Sequence, residues 1–403
     1  MDLRILQELA EENDRKILLL VLDGLGGLAM APGGPTELEA AQTPNLDALA
    51  ADSSLGLMDP VAPGITPGSG PGHLALFGYD PFTHLIERGA LSCAGVNLPM
   101  EPEDIGIRMN FATSDEAGKI TDRRAGRIET SRCAELCDKL EKSVAIEGLE
   151  VYVRPEKEHR AAVVLRGPGL SDAVTGTDPQ STGLPPLVAA PTDGSPEAAR
   201  TAEAMNELTR QAAEILADDH PANAIIMRGA AKKPTLPQMQ EVFKLNPVAI
   251  ATYPMYKGLA RLVGMDVIEG LESLEEVFEA LGDALGRYNF FFCHVKPTDS
   301  RGEDGDFDAK VRVIEEVDAL IPTIPRDAFA AVAVTGDHST PSKLRTHSWH
   351  PVPALIWSPT CRADGVESFT ERACATGSLG RFRGVELMPQ LLAHAERLKR
   401  YGA

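Results

Sequence analysis

The sequence has no apolar run long enough to cross a bilayer. The longest near the N-terminus, Ile17–Leu22, falls far short of the roughly 20 residues a spanning helix needs. Residues 1–16 are mostly acidic and polar and do not read as a secretory signal, so a cytoplasmic location with no membrane partner is expected. Paired cysteines are also missing. Cys93, Cys133, Cys137, Cys293, Cys361 and Cys374 are scattered without a CxxC pair, and a chain of 403 residues needs no staples, so free thiols are expected. Cys133 and Cys137 would face one way on a helix, but two thiols without a nearby histidine make a poor metal site. Basic charge is scarce: 39 Lys and Arg stand against 59 Asp and Glu, a formal net charge of −20. That balance argues against nucleic acid as a partner, which demands a basic face, yet a small anion needs only a local arginine cluster. No glycine-rich nucleotide loop is completed, and no internal repeat is evident.

What is present is a set of short apolar runs that end in reactive residues. Lys16–Asp23 stops at an aspartate followed by Gly24. Asn289–His294 leads into Val295-Lys296-Pro297-Thr298-Asp299, and Ala328–Thr335 leads into Gly336-Asp337-His338. Such runs suit buried parallel strands. Helical patterns lie between them: Thr43 is placed to cap a helix with Pro44 at its first position, and Phe307–Leu320 reads as amphipathic. The alternation indicates an α/β doubly wound sheet, whose site lies beyond the carboxyl ends of the strands. Asp23, Asp299 and Asp337 all fall there. Residues 86–224 differ, with the arginine-rich Asp122–Arg127, a strand-like Arg160–Arg166 and a Pro/Gly/Ser/Thr-rich loop at 167–196. This segment is expected to be an inserted smaller α/β (α+β) domain, the core being 1–85 with 225–403.

Two segments carry chemistry. Asp337-His338, with His347 nine residues later, offers ligands suited to Mn²⁺ or Zn²⁺. An Asp-His pair alone is more often a loop hydrogen bond, but two further strand-terminal aspartates shift the balance towards a metal. Ser69 sits between Gly68 and Gly70 before an apolar helix-like stretch. It reads either as a flexible turn or as a hydroxyl exposed at a helix N-terminus, where N–H groups favour phosphate and a metal activates the nucleophile.

Together Val21–Gly27, Ser69 with His73, Leu74–Pro81, Asn110–Thr113, Asp122–Arg127, Lys257-Gly258 and Thr335–Pro341 make the chain resemble the archaeal-type cofactor-independent phosphoglycerate mutases, within the alkaline phosphatase superfamily. The likeness runs from about residue 15 to near the C-terminus. It implies an isomerase with an alkaline-phosphatase-like metal-binding core, an inserted substrate domain and two divalent ions. Manganese is favoured, with Mg²⁺, Co²⁺ or Zn²⁺ compatible, and no 2,3-bisphosphoglycerate is needed. By position, Asp23, Ser69, Asp337 and His338 would form one metal site, and Asp299 and His347 the other. Its remaining ligand departs from the family pattern: a histidine is usual four residues after Asp299, and Glu303 stands here. Asp304 and His350 are spare candidates. Gly70-Pro71-Gly72 also replaces the usual Asp-Thr-Ala after the serine.

The resemblance further implies that Ser69 takes the phosphoryl group from 3-phosphoglycerate and returns it to the other hydroxyl as 2-phosphoglycerate, a step of glycolysis and gluconeogenesis. Asp122, Arg123, Arg124, Arg127, Arg160 and Lys257 carry over as contacts to this small phosphorylated acid, with Arg124 and Lys257 at the reacting oxygens. His73 and His159 are either substrate contacts or structural hydrogen bonders. Two alternatives stay open: a metal-dependent phosphatase or phosphotransferase on another small phosphometabolite, or a non-catalytic relative with an altered second site. A homo-oligomer is compatible with the sequence.

Overall fold

The computed structural model describes residues 2–402. The chain forms two compact units: one comprises the segment up to Leu85 with that from Leu236 onward, the other Ile86–Thr235. Strands are numbered along the chain. β1 (Ile17–Leu22) and β2 (Ser54–Asp59) precede β3 (Ile105–Ser114), β4 (Ile120–Asp122), β5 (Glu150–Lys157), β6 (Arg160–Arg166) and β7 (Ala224–Lys232). There follow β8 (Pro247–Ile250), β9 (Asp266–Val267), β10 (Phe290–Val295), β11 (Ala331–Thr335), β12 (Val352–Trp357) and β13 (Gly380–Arg383).

The first unit holds an eight-stranded sheet in the order β13-β2-β12-β11-β1-β10-β8-β9. Its centre is parallel: β1 pairs with β10 from Ile17↔Phe290 to Leu22↔Val295 and with β11 from Ile17↔Ala331 to Val21↔Thr335. Every residue of β1, β10 and β11 is buried, which explains their predominantly apolar sequences, interrupted only by His294 and Thr335 near the site. One face packs under helices Pro44–Ala51, Leu274–Ala284 and Phe307–Leu320, through Leu46, Leu281 and Ile314 against Leu20, Phe291 and Val334. The shared register means that the residues after β1, β10 and β11 leave the sheet side by side.

The sheet is mixed rather than wholly parallel. β12 runs antiparallel to both β11 and β2. The chain from 336 to 351 contains no helix that would carry it back across the sheet, so β12 returns beside β11 in the opposite sense. Pro44 does open its helix, but Thr43 makes no capping bond; its hydroxyl donates to Asp47 at 3.3 Å instead.

The second unit is a five-stranded antiparallel sheet built around the ten-residue β3, which pairs with β4, β6 and β7. Helices Thr130–Ser143 and Pro196–Ile215 cover one face with Leu136, Leu140, Met205 and Leu208 against Ile107, Met109 and Val163. Helix Arg88–Gly95 covers the other, through Ala90 and Cys93 against Ala162 and Val164. The unit extends past 224 to Thr235 because β7 pairs along β3 from Ala112↔Ala224 to Ile105↔Lys232. All six cysteines are free thiols, and Sγ of Cys133 and Cys137 lie 4.0 Å apart on one buried helix face.

Candidate active site

Asp23 follows β1 directly, and its backbone N–H donates to the carbonyl oxygen of Val295 at 2.9 Å, which pins the two strand ends together. Its Oδ2 lies 3.1 Å from His294 Nε2 and 3.2 Å from Lys296 Nζ, while Oδ1 faces His338 Nε2 at 3.3 Å. Burial opposes ionisation of this fully enclosed carboxyl. Lys296 and His294 outweigh that cost and hold its pKa well below the usual carboxylate range.

Asp337 and His338 leave β11 beside it. Nε2 of His338 lies 3.1 Å from Asp337 Oδ2, and the same ring stacks on His347 with centroids 3.6 Å apart. Burial disfavours the imidazolium of His338, but the carboxylates of Asp337 and Asp23 raise its pKa to about 9. Ser69 opens helix Ser69–Leu76, and its Oγ lies 3.3 Å from His338 Nε2. One turn later, His73 Nδ1 sits 2.8 Å from the Ser69 carbonyl oxygen and 3.1 Å from Asp337 Oδ2.

Asp299 comes from helix Pro297–Asp304, which follows β10. Its Oδ1 accepts from Thr340 Oγ1 at 2.6 Å and lies 3.6 Å from His347 Nε2; its Oδ2 meets Lys296 at 2.5 Å. Asp23, Asp337 and His338 thus form one compact group of ligand type, and Asp299, His338 and His347 a second.

These residues fit divalent ions. Asp23 Oδ1 and Asp337 Oδ2 are buried carboxylate oxygens with no well-formed hydrogen bond, faced by the ligand-type rings of His338 and, for Asp337, His73, so a cation bound among them would complete their coordination. Carboxylate and imidazole donors in this mixture suit Mn²⁺, Mg²⁺ or Zn²⁺. Behind the site, the buried ammonium of Lys310 donates to the carbonyl oxygens of Gly24, Gly26 and Thr340 at 2.8, 3.1 and 2.9 Å. It ties the turn after Asp23 to the loop after His338.

Other sequence candidates stand apart from these groups. Glu303 is 57% exposed, with Oε1 3.9 Å from His347 Nε2. Asp304 is exposed and pairs with Arg301, while His350 Nδ1 bonds Ser348 Oγ at 3.0 Å. Lys257 pairs with Glu269 at 3.0 Å rather than with the aspartates. Conversely, the sequence reading passed over His294, Lys296, Thr340 and Lys310. The segment ending at Asp299 contained His294 and Lys296, but only the final aspartate was singled out.

In the second unit, Asp122 accepts the N–H groups of Arg124 and Gly126 at 2.8 and 2.7 Å. These bonds brace a turn in which Ala125, Gly126 and Arg127 all have positive φ. Asp122 therefore shapes the arginine loop. Arg123 makes a two-pronged pair with Asp178 at 3.0 and 2.7 Å, and Arg228 approaches the same carboxylate at 3.8 Å. His159 is buried, and burial together with Arg160, Arg124, Arg108 and Arg127 lowers its pKa to about 4. Arg108 on β3 lies opposite Arg228 on β7, so the fold adds these two to the arginines around His159 within a strongly acidic chain.

The mixed sheet, with carboxylates and histidines beyond its strand ends and a serine at a helix start beside them, defines an α/β protein with an acidic centre of metal-ligand type. Comparison with known proteins narrows this class. The sequence pattern of 2,3-bisphosphoglycerate-independent phosphoglycerate mutase matches residues 50–223. A Thermus thermophilus protein named "Probable 2,3-bisphosphoglycerate-independent phosphoglycerate mutase" is 56% identical over 99% of both chains. Among solved structures, the cofactor-independent phosphoglycerate mutase from Thermoplasma acidophilum is 33% identical, with a TM-score of 0.71 over 94% of this chain and 100% of that one. A protein from Pyrococcus horikoshii gives a TM-score of 0.81 at 30% identity, over 96% and 99% of the two chains. The chain belongs to the 2,3-bisphosphoglycerate-independent phosphoglycerate mutase family, a family of isomerases.

Proposed function

We propose that the chain interconverts 3-phosphoglycerate and 2-phosphoglycerate through a phosphoserine at Ser69, as a step of glycolysis and gluconeogenesis. The observation that carries this reading is the placement of Ser69 Oγ 3.3 Å from His338, which belongs to both ligand groups. Asp23, Ser69, Asp337 and His338 would hold one divalent ion. Asp299 and His347, with Glu303 swung inward, would hold the other, His338 bordering both. Bound there, Mn²⁺ would supply positive charge that favours the serine alkoxide and the negative charge growing on the phosphoryl oxygens.

The chain's own groups then account for the transfer. Ser69 Oγ bonds to phosphorus as the bond from phosphorus to the 3-oxygen breaks; the serine gives up its proton and the released glycerate oxygen gains one. The reverse transfer, to the 2-hydroxyl, restores the serine. His73, by holding the Ser69 carbonyl, fixes the helix end that presents the hydroxyl. Glycerate must remain bound between the two transfers, and guanidinium groups suit its carboxylate and phosphate. Arg124, Arg127 and Arg160 are assigned that role, with Arg108 and Arg228 beside them. Arg123 and Asp122 are positioning residues, because their polar atoms already hold Asp178 and the loop backbone.

The test is a product assay on chelator-stripped protein. Mn²⁺ is restored, 3-phosphoglycerate added, and 2-phosphoglycerate and free phosphate followed separately. The mutase reading requires 2-phosphoglycerate that depends on metal and disappears in Ser69→Ala. Release of phosphate alone would make the protein a phosphatase, and no product with any divalent ion would overturn both readings.

A further inference from the structure

Lys296 occupies a costly place for a cation. It precedes helix Pro297–Asp304 at the N-cap position, where the helix dipole favours negative charge, and its side chain is only 19% exposed. What offsets that cost is a pair of carboxylates, one from each ligand group. Nζ lies 3.2 Å from Asp23 Oδ2 and 2.5 Å from Asp299 Oδ2, with the Tyr256 hydroxyl at 3.1 Å. The rings of Tyr256 and Tyr253, 5.5 and 5.7 Å away, wall its other side. Lys296 thus pairs with a carboxylate from each ligand group at once.

The two carboxylates divide their oxygens in the same way. Each gives Oδ2 to Lys296, Asp23 sharing that oxygen with His294 Nε2 at 3.1 Å, and turns Oδ1 towards another histidine: Asp23 to His338 Nε2 at 3.3 Å, Asp299 to His347 Nε2 at 3.6 Å. Any divalent ion held by either aspartate must share it with an ammonium a few ångströms away, in a site too enclosed for water to screen the repulsion.

We propose that Lys296 is the internal counter-cation of both ligand groups, neutralising Asp23 and Asp299 and competing with divalent ions for them. It therefore sets metal affinity below what the carboxylates alone would give. The inference rests on the metal reading of the site and adds to it a residue that tunes occupancy. The direction of the effect is diagnostic. A residue that merely braced the ligands would weaken metal binding when removed, whereas removal of a competing charge tightens it.

The test uses chelator-stripped wild type, Lys296→Met and Lys296→Gln, titrated with Mn²⁺ by calorimetry and melted with and without the ion. Both variants should bind Mn²⁺ at least about ten-fold more tightly, as loss of a unit charge at this range predicts. Their stripped forms should melt several degrees lower, because two buried carboxylates lose their partner. Unchanged or weaker affinity in the variants, with Mn²⁺ still bound by wild type, overturns the inference alone. No uptake by wild type overturns the metal reading and the inference with it. If the Met variant fails to fold, the Gln variant decides. If neither folds even with saturating Mn²⁺, the residue is structural and the proposal is overturned.

Discussion

Nε2 of His338 lies 3.3 Å from Ser69 Oγ and 3.1 Å from Asp337 Oδ2, so one imidazole joins the end of a helix to the end of β11. The serine hydroxyl has that ring as its hydrogen-bond partner. Replacement by alanine therefore removes the proposed nucleophile at little structural cost. Ser69→Ala should lower mutase activity on the order of 10⁴-fold or more. Its unfolding free energy should stay within about 1 kcal/mol of wild type, since one hydrogen bond of ordinary worth is lost. A coupled assay for 2-phosphoglycerate and a urea titration check the two halves. Activity retained above a tenth of wild type would remove Ser69 from the chemistry.

Gly302 tests the packing that brings the two ligand groups together. A Cβ at this position would lie 2.1 Å from the Thr340 carbonyl oxygen and 2.9 Å from its Cγ2. The obstacle includes backbone, so it cannot rotate away, and the helix bearing Asp299 would have to move from the loop bearing His338. Gly302→Ala should cost roughly 1–3 kcal/mol in stability, as overpacked sites do. Mn²⁺ affinity should fall with it. A variant as stable as wild type, with unchanged Mn²⁺ titration, would show that this contact does not set the distance between the groups.

The strands that carry the site were legible because β1, β10 and β11 are predominantly apolar runs with an aspartate one to four residues beyond each. The antiparallel return of β12 was not, since apolar patterning reports burial and says nothing about direction. Asp23, Asp337 and His338 could be singled out as strand-end residues. Lys296 could not, because a lysine before a proline reads as surface charge until the pairing of β1 with β10 places it against Asp23. In the second unit, the arginine loop was visible as composition, but the commitment of Arg123 was hidden. Its partner Asp178 lies 55 residues away, in a loop whose path the sequence does not reveal. The bracing role of Asp122 was hidden for a related reason: the backbone N–H groups of Arg124 and Gly126 that it accepts are brought to it by a turn that composition does not reveal.

Glu303 extends into solvent with Oε1 3.9 Å from His347 Nε2. A carboxylate at that position favours harder ions, while imidazole favours zinc. Glu303→His should shift the Zn²⁺ to Mn²⁺ affinity ratio towards zinc by roughly ten-fold, the scale of one altered ligand. Glu303→Ala should weaken the second Mn²⁺ by a similar factor and spare the first. Competition titrations with both ions read these changes. Two undisturbed Mn²⁺ equivalents in the alanine variant would exclude Glu303 as a ligand.

His159 supplies a pH prediction away from the metal-ligand groups. Burial, with Arg160, Arg124, Arg108 and Arg127 around it, lowers its pKa to about 4, against 6.5 for an ordinary histidine. Between those values the unfolded chain takes up a proton that the folded imidazole refuses. Linkage then gives the sign: this residue makes stability fall as pH drops from about 6.5 to about 4, and contributes no slope above that window. His159→Gln should flatten this part of the stability profile while other acid-sensitive groups keep theirs. Urea midpoints between pH 4 and pH 7.5, for wild type and variant, measure the difference. A steeper fall in wild type supports a neutral imidazole held among cations. Parallel profiles would mean that the ring is protonated in the folded chain, with its charge balanced by a carboxylate such as Glu158, whose Oε2 lies 3.8 Å from Nδ1.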